Sequence, residues 1–221
     1  MINSEKLLED LIKKMNIIDV SDIPSIDLYM DQVTTFMEKH LKNYKRFEDD
    51  KIMTKTMINN YSKNELLPPS NKKRYSNEHL ILLIFIYYFK NILSINDIKT
   101  TLTPLCETFF NENKEISLEE IYNTISDMEK ELLPEIKKDI SNKISVSNNS
   151  FSETSDNDRD YLQLIYLISS LSFDMYVKKQ MLESIIDSIN ETSVQHAESL
   201  KESKKNKDEK KSKDKKHQNN S

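Results

Sequence analysis

Glycine is absent from all 221 residues. That excludes phosphate-cradling loops, dinucleotide fingerprints and nucleophile elbows as sequence motifs, because each needs Gly for close backbone approach or unusual dihedrals. Tight hairpins also lose their preferred residue, which favours a mostly helical chain. Cysteine occurs once, at Cys106, so one chain can build neither a disulfide framework nor a multi-thiolate metal site. A buried, inert thiol is the expected role. The four histidines, His40, His79, His196 and His217, have no paired ligand spacing. His79 opens an apolar helix and is expected to pack or cap there. With no nucleophile–base pair or metal cluster recognisable, the chain reads as non-enzymatic and without a cofactor.

Long hydrophobic runs are missing too. The most apolar stretch, Leu80 to Phe89, is about ten residues where a membrane span needs about twenty. Near the start, Glu5, Glu9 and Asp10 interrupt Leu7, Leu8, Leu11 and Ile12, so no secretory signal is read. Those apolar residues have the spacing of one helix face. A soluble, cytoplasmic protein is expected, with no membrane partner.

What the chain does have is an uneven charge distribution. The net charge is −5, yet residues 51–103 carry 8 Lys/Arg against 3 Asp/Glu, and residues 201–221 carry 9 against 4. Residues 104–200 carry 8 against 19. A basic patch on an acidic protein attracts phosphate locally while the rest of the body discourages unselective binding.

The basic block coincides with a recognisable layout. After a turn at Pro24, a helix is expected from about Asp27 to Lys45, with Leu28, Val33, Phe36, Met37 and Leu41 on its apolar side. Thr54 is placed to cap a short helix running to Lys63, with Met53 and Ile58 as a hydrophobic staple. At 100° per residue, Ile58 and Tyr61 face inward, while Thr56, Asn59, Asn60 and Lys63 form the outer arc. Such an arc suits the major groove, where Asn pairs with adenine and Lys reaches guanine or phosphate. Leu66-Leu67-Pro68-Pro69 then forces an extended exit. Lys72, Lys73 and Arg74 follow on a short projecting turn, a wing able to hold phosphates. Ser76 caps a helix through Leu80, Leu83, Ile84, Tyr87 and Tyr88, and Ser94 caps another through Ile95, Ile98 and Leu102.

In order and spacing, L-L-P-P-S, K-R-Y-S, H-L-x-x-L-I-x-I and L-S-I-N-D-I-K resemble the winged helix-turn-helix of the mercury-resistance-regulator (MerR) type of bacterial transcription factors. L-Y-M-D-Q-V at Leu28 to Val33 and M-I-N-N-Y-x-K at Met57 to Lys63 are similar to a bacterial family known only as a domain of unknown function. The resemblance implies a recognition helix at 54–63, a wing at 70–75 and a dimer on an operator. Two positions depart from the MerR pattern. Asn64-Glu65 replaces the Gly before the Leu-Leu pair, with Asn64 able to take the left-handed turn, and Asn59 stands where the MerR helix carries Arg.

Downstream, Ser117 with Glu120 forms a capping-box signature ahead of Leu118, Ile121, Tyr122 and Ile125, and Ile136, Ile140 and Ile144 continue the stripe after Pro134. A polar loop is expected at 145–158. Two amphipathic segments follow, one through Leu164, Ile165, Ile168 and Leu171, the other through Val177, Met181, Leu182, Ile185, Ile186 and Ile189. From about His196 the sequence is nearly devoid of apolar residues and reads as disordered.

The expected architecture is therefore all-α: an N-terminal helix at 1–19, a MerR-like winged helix-turn-helix at 20–105, a helical dimerisation or signal region at 106–195, and a disordered Lys-rich tail at 196–221. The expected function is sequence-specific transcription regulation on double-stranded DNA. Lys55, Thr56, Asn59, Asn60 and Lys63 would face bases and nearby phosphates, with Lys72, Lys73 and Arg74 on the backbone. Surface left over on the C-terminal helices leaves room for a homodimer, and a small-molecule effector stays open. The alternative reading keeps the scaffold but turns its polar helix toward a protein partner.

Overall fold

A computed structural model describes the backbone of residues 3–15, 17–111 and 114–218, and side chains within those ranges other than 156–157 and 193–218. The chain divides into two compact units, Met1–Lys179 and Gln180–Ser221. Mostly helical structure makes up the first: α1 (Ser4–Lys14), β1 (Leu28–Tyr29), α2 (Met30–Leu41), α3 (Lys55–Lys63), β2 (Arg74–Tyr75), α4 (Asn77–Phe89), α5 (Ile95–Phe109) and α6 (Leu118–Asn148). The last helix, α7 (Asp156–Gln218), begins in the first unit and accounts for most of the second.

The core is organised around α4, whose residues from His79 to Tyr87 are all buried. A helix that is apolar all round can rest only inside a protein, so its neighbours are obliged to surround it. They do so with Val33, Phe36, Met37 and Leu41 of α2, Ile58 of α3, Ile98 and Leu102 of α5, and Leu118 and Tyr122 of α6. Each such side chain taken fully out of water stabilises the fold by about 1.5–3 kcal/mol before entropy is counted. Local capping sets where the helices start. Ser94 Oγ accepts the Asp97 N–H at 3.2 Å, and Ser117 Oγ accepts the Glu120 N–H at 3.1 Å, each with the reciprocal carboxylate contact.

Several expectations need correction. The second helix spans Met30–Leu41 rather than 27–45, because Leu28-Tyr29 pairs as a strand with Tyr75-Arg74 and Lys42–Tyr44 tightens into a 3-10 turn. The polar loop is shorter than 145–158: α6 runs to Asn148, where the Asn149 N–H closes it on the Ser145 carbonyl at 3.2 Å, and α7 starts at Asp156. The two C-terminal amphipathic segments belong to one helix, since no proline or glycine separates them. The backbone is helical through Gln218, where the sequence suggests disorder from 196; the side chains there lie outside the described residues. Leu7 and Leu11 of α1 are exposed while Leu8 is buried, so that face meets α6 through a narrower stripe.

Among the long-range contacts that tie the N-terminal segment to α6, two come from the stretch between α1 and β1. Tyr122 Oη donates to the Ile18 carbonyl at 2.6 Å inside the core, and Lys130 pairs with Asp19 at 3.0 Å. The first is buried, so losing it strands a carbonyl. Tyr122→Phe should cost about 1–3 kcal/mol in urea unfolding with an unchanged m-value. A loss below a few tenths of a kcal/mol would mean that water replaces the hydroxyl.

Candidate nucleic-acid interface

Helix α3 is short and held at both ends. Thr54 Oγ1 accepts the Met57 N–H at 3.1 Å, and Met53 and Ile58 are both buried as a staple requires. At the other end, the Leu66 N–H reaches the Tyr61 carbonyl at 2.9 Å and the Glu65 N–H reaches Ser62 at 3.2 Å. That pair of bonds is a Schellman cap, which needs a left-handed residue just beyond the helix. The residue that supplies it is Glu65, at φ 59°, and not Asn64, at φ −91°. Its carboxylate hydrogen-bonds Lys99 of α5 at 2.6 Å, which holds it below the usual carboxylate range. With Ile58 anchored inward, the expected outer residues Lys55, Thr56, Asn59, Asn60 and Lys63 are all exposed.

The segment after Pro68-Pro69 is a hairpin. Arg74 N–H donates to the Asn71 carbonyl at 2.9 Å and Asn71 N–H returns to Arg74 at 3.1 Å, with only Lys72 and Lys73 between. Both lysines have positive φ, 49° and 66°, the signature of a type I′ turn. Absence of glycine therefore does not prevent a tight hairpin here; two lysines adopt a conformation that costs roughly 1–2 kcal/mol per residue. Such strain persists only where surrounding structure fixes it. The fixing element is β2, which pairs antiparallel with β1 in the register Leu28↔Tyr75 and Tyr29↔Arg74. Lys72, Lys73 and Arg74 are exposed, with Arg74 Cζ 5.6 Å from the Tyr29 ring centroid.

These elements meet at the start of α2. Tyr29 lies under Arg74 of the hairpin, and two residues on, Asp31 forms an ion pair with Lys55 at the start of α3. The hairpin and the first turn of α3 are thus linked through one short segment. Lys63 sits at the far end of α3, about 12 Å along the axis from Lys55. Among the described residues Lys63, Lys72 and Lys73 make no ion pair, whereas Lys55 is partly neutralised by Asp31. Tyr29 and Asp31 enter the sequence reading only as letters of the L-Y-M-D-Q-V motif; their linking roles are seen once β1 pairs with β2. Two other cations of the basic block serve the fold. Lys99 holds Glu65, and Lys90 donates to the Ile52 carbonyl at 2.8 Å, fixing the approach to α3. Cys106 is half-buried; burial, with Glu107 beside it, pushes the thiol up to about 11, which keeps it protonated at neutral pH.

The turn geometry predicts a separable effect. Lys72→Asn with Lys73→Gly gives the residue pair that type I′ turns prefer and should stabilise the fold by about 1–2 kcal/mol in urea unfolding. Destabilisation by the double substitution would show that the two lysines do not hold left-handed dihedrals.

Residues 18–125 match the family described as a domain of unknown function, DUF1836. The span begins at fully buried Ile18 and ends at Ile125, which packs against the same core, so it coincides with the body formed around α4. No curated protein and no solved structure matches the chain.

Proposed function

We propose that residues 20–105 form a MerR-like winged helix-turn-helix and that the protein is a non-enzymatic, sequence-specific regulator binding duplex DNA. The observation that carries this reading is the joining of α3's polar face to a strained, three-cation hairpin through Tyr29 and Asp31. In this reading α3 enters the major groove. Asn59, Asn60 and Thr56 read base edges, Lys63 and Lys55 reach bases or phosphates at either end, and Lys72, Lys73 and Arg74 hold the backbone alongside. The Asp31–Lys55 pair tempers non-specific attraction, since one cation near the groove is already compensated.

The support for dimerisation is apolar surface left uncovered. On α6, Met128, Leu132 and Ile136 are exposed, and on α7, Phe173 and Met175 are 69% and 68% exposed. A groove between the two helices is lined by Leu132, Ile136, Ile140, Leu171 and Met175, with Glu135, Asp139, Asp174 and Lys178 at the same groove. Exposed apolar groups rimmed by charged ones are the pattern of an interaction surface. A second copy across a two-fold axis would cover it and place two α3 helices on paired half-sites.

Replacing Lys72, Lys73 and Arg74 together by Ala should weaken binding to operator and random duplexes alike and reduce the log–log salt slope by about 2–3, at about 0.9 per lost phosphate contact. Asn60→Ala should instead cost about 1–3 kcal/mol of discrimination between operator and scrambled DNA. Unchanged slope and affinity in the triple variant would remove the hairpin from the mechanism. Sedimentation of the full chain at micromolar concentration should show a dimer, and Phe173→Glu with Met175→Glu a monomer. A chain that stays monomeric on its DNA contradicts the paired half-site arrangement.

A further inference from the structure

The outgoing arm of the basic hairpin comes to rest on one side chain. His79, on the first turn of α4, is 3% exposed. Its Nδ1 accepts the Ser76 backbone N–H at 3.0 Å and lies 2.9 Å from Ser76 Oγ. An amide N–H can only donate, so Nδ1 is the unprotonated nitrogen and the neutral ring carries its hydrogen on Nε2. Nε2 is buried with no hydrogen-bond partner among the described residues. Tyr75 meets the ring edge-on at 5.4 Å, and Phe110, just beyond α5, does so at 4.8 Å. Tyr75-Ser76 leads out of the hairpin, so one imidazole joins that arm to α4 and to Phe110 beyond α5.

We propose that His79 is the positioning residue of the hairpin: its neutral imidazole clasps the outgoing arm to the core, and protonation of Nδ1 opens the clasp. The charged groups around it leave the ring without a strong ion-pair partner. Asp27, ahead of β1, is the one charge acting on it directly. Arg74 on β2 is engaged with Tyr29, Glu78 on α4 accepts the Asn111 N–H at 2.9 Å, and Glu119 at the start of α6 accepts from Asn77 at 2.9 Å. Burial pushes the imidazole below the ordinary histidine range, against the opposing pull of the Pro69 and Pro68 carbonyls and Asp27. The sign follows. The folded ring is neutral at pH 7, while an unfolded chain takes up the proton near pH 6.5. The clasp's contribution to stability is therefore complete above about pH 6.5 and falls as pH drops below that value, while in the folded chain the ring takes up its proton, and the clasp opens, only at a lower pH. An imidazolium would turn a second donor on the Ser76 N–H, breaking the cap and loosening the strained lysines.

The clasp itself is a statement about the hairpin; its consequence for DNA rests on the function proposed above. NMR of the 15N-labelled full chain between about pH 8 and about pH 5 tests it, following the His79 ring nitrogens and the amides of Ser76 and Arg74. At neutral pH, Nδ1 should show the shift of an unprotonated ring nitrogen. As the ring titrates, exchange protection at Ser76 and Arg74 should fall about tenfold or more, while Leu83 and Ile84 keep theirs. His79→Gln supplies an acceptor and a donor at the same cap position, so protection should persist and lose its pH dependence. His79→Leu should lose protection at every pH; if that variant does not fold, the wild-type titration and His79→Gln decide. Ser76 and Arg74 amides that ignore the titration of His79, or that remain protected in His79→Leu, overturn the clasp. None of these readouts uses DNA. A chain whose hairpin follows His79 yet never binds a duplex keeps the clasp and loses the proposed function.

Discussion

Burial of α4 on every side is the constraint on which the rest of the first unit depends. Nine consecutive residues, His79 to Tyr87, leave no face for solvent. Apolar area of that extent must be covered by other elements, and α2, α3, α5 and the start of α6 each contribute the side chains that do it. That requirement also fixes the exposed features. Ile58 inserted into the core decides which arc of α3 faces outward, and Tyr75 and His79, buried at the near end of α4, decide where the basic hairpin projects. The polar surface is thus positioned by apolar residues that never touch a partner.

The helices were legible in the sequence wherever their signals are local. Thr54, Ser94 and Ser117 cap α3, α5 and α6 through side-chain oxygens three residues from the amides they accept, a relation visible in the string of letters. The staple of Met53 and Ile58 and the outer arc of α3 follow from the same short-range periodicity. What stayed hidden was set by pairing across the chain. Leu28-Tyr29 is a strand only because Tyr75-Arg74 lies beside it, some 45 residues away, and two residues carry no periodicity of their own. The linking roles of Tyr29 and Asp31, visible in the sequence only as part of L-Y-M-D-Q-V, stayed hidden with it.

Backbone conformation was the second blind spot. Without glycine, the positions that need positive φ cannot be found by composition, and Glu65, Lys72 and Lys73 hold left-handed dihedrals that their residue types do not favour. At Glu65 the compensation is an ion pair with Lys99 and a complete Schellman cap. At Lys72 and Lys73 it is the hydrogen-bonded Asn71–Arg74 bridge and the strand behind it. Strain placed on the cations themselves, rather than on neutral neighbours, is what distinguishes this hairpin from a solvated loop.

Charge then separates the surfaces. The basic block lies within the body built around α4, while residues 104–200 are strongly acidic and carry the exposed apolar stripes. Under the proposed function, a basic patch on an otherwise acidic chain would draw a duplex to that patch. The most direct measurement is selection by the full chain from a pool of random duplex DNA, followed by footprinting on the recovered sequences. A sequence-specific binder returns one enriched motif in which base contacts along the major groove are flanked by protected phosphates. Recovery of an unenriched pool at every salt concentration, including those low enough for counterion release to dominate, would contradict the account.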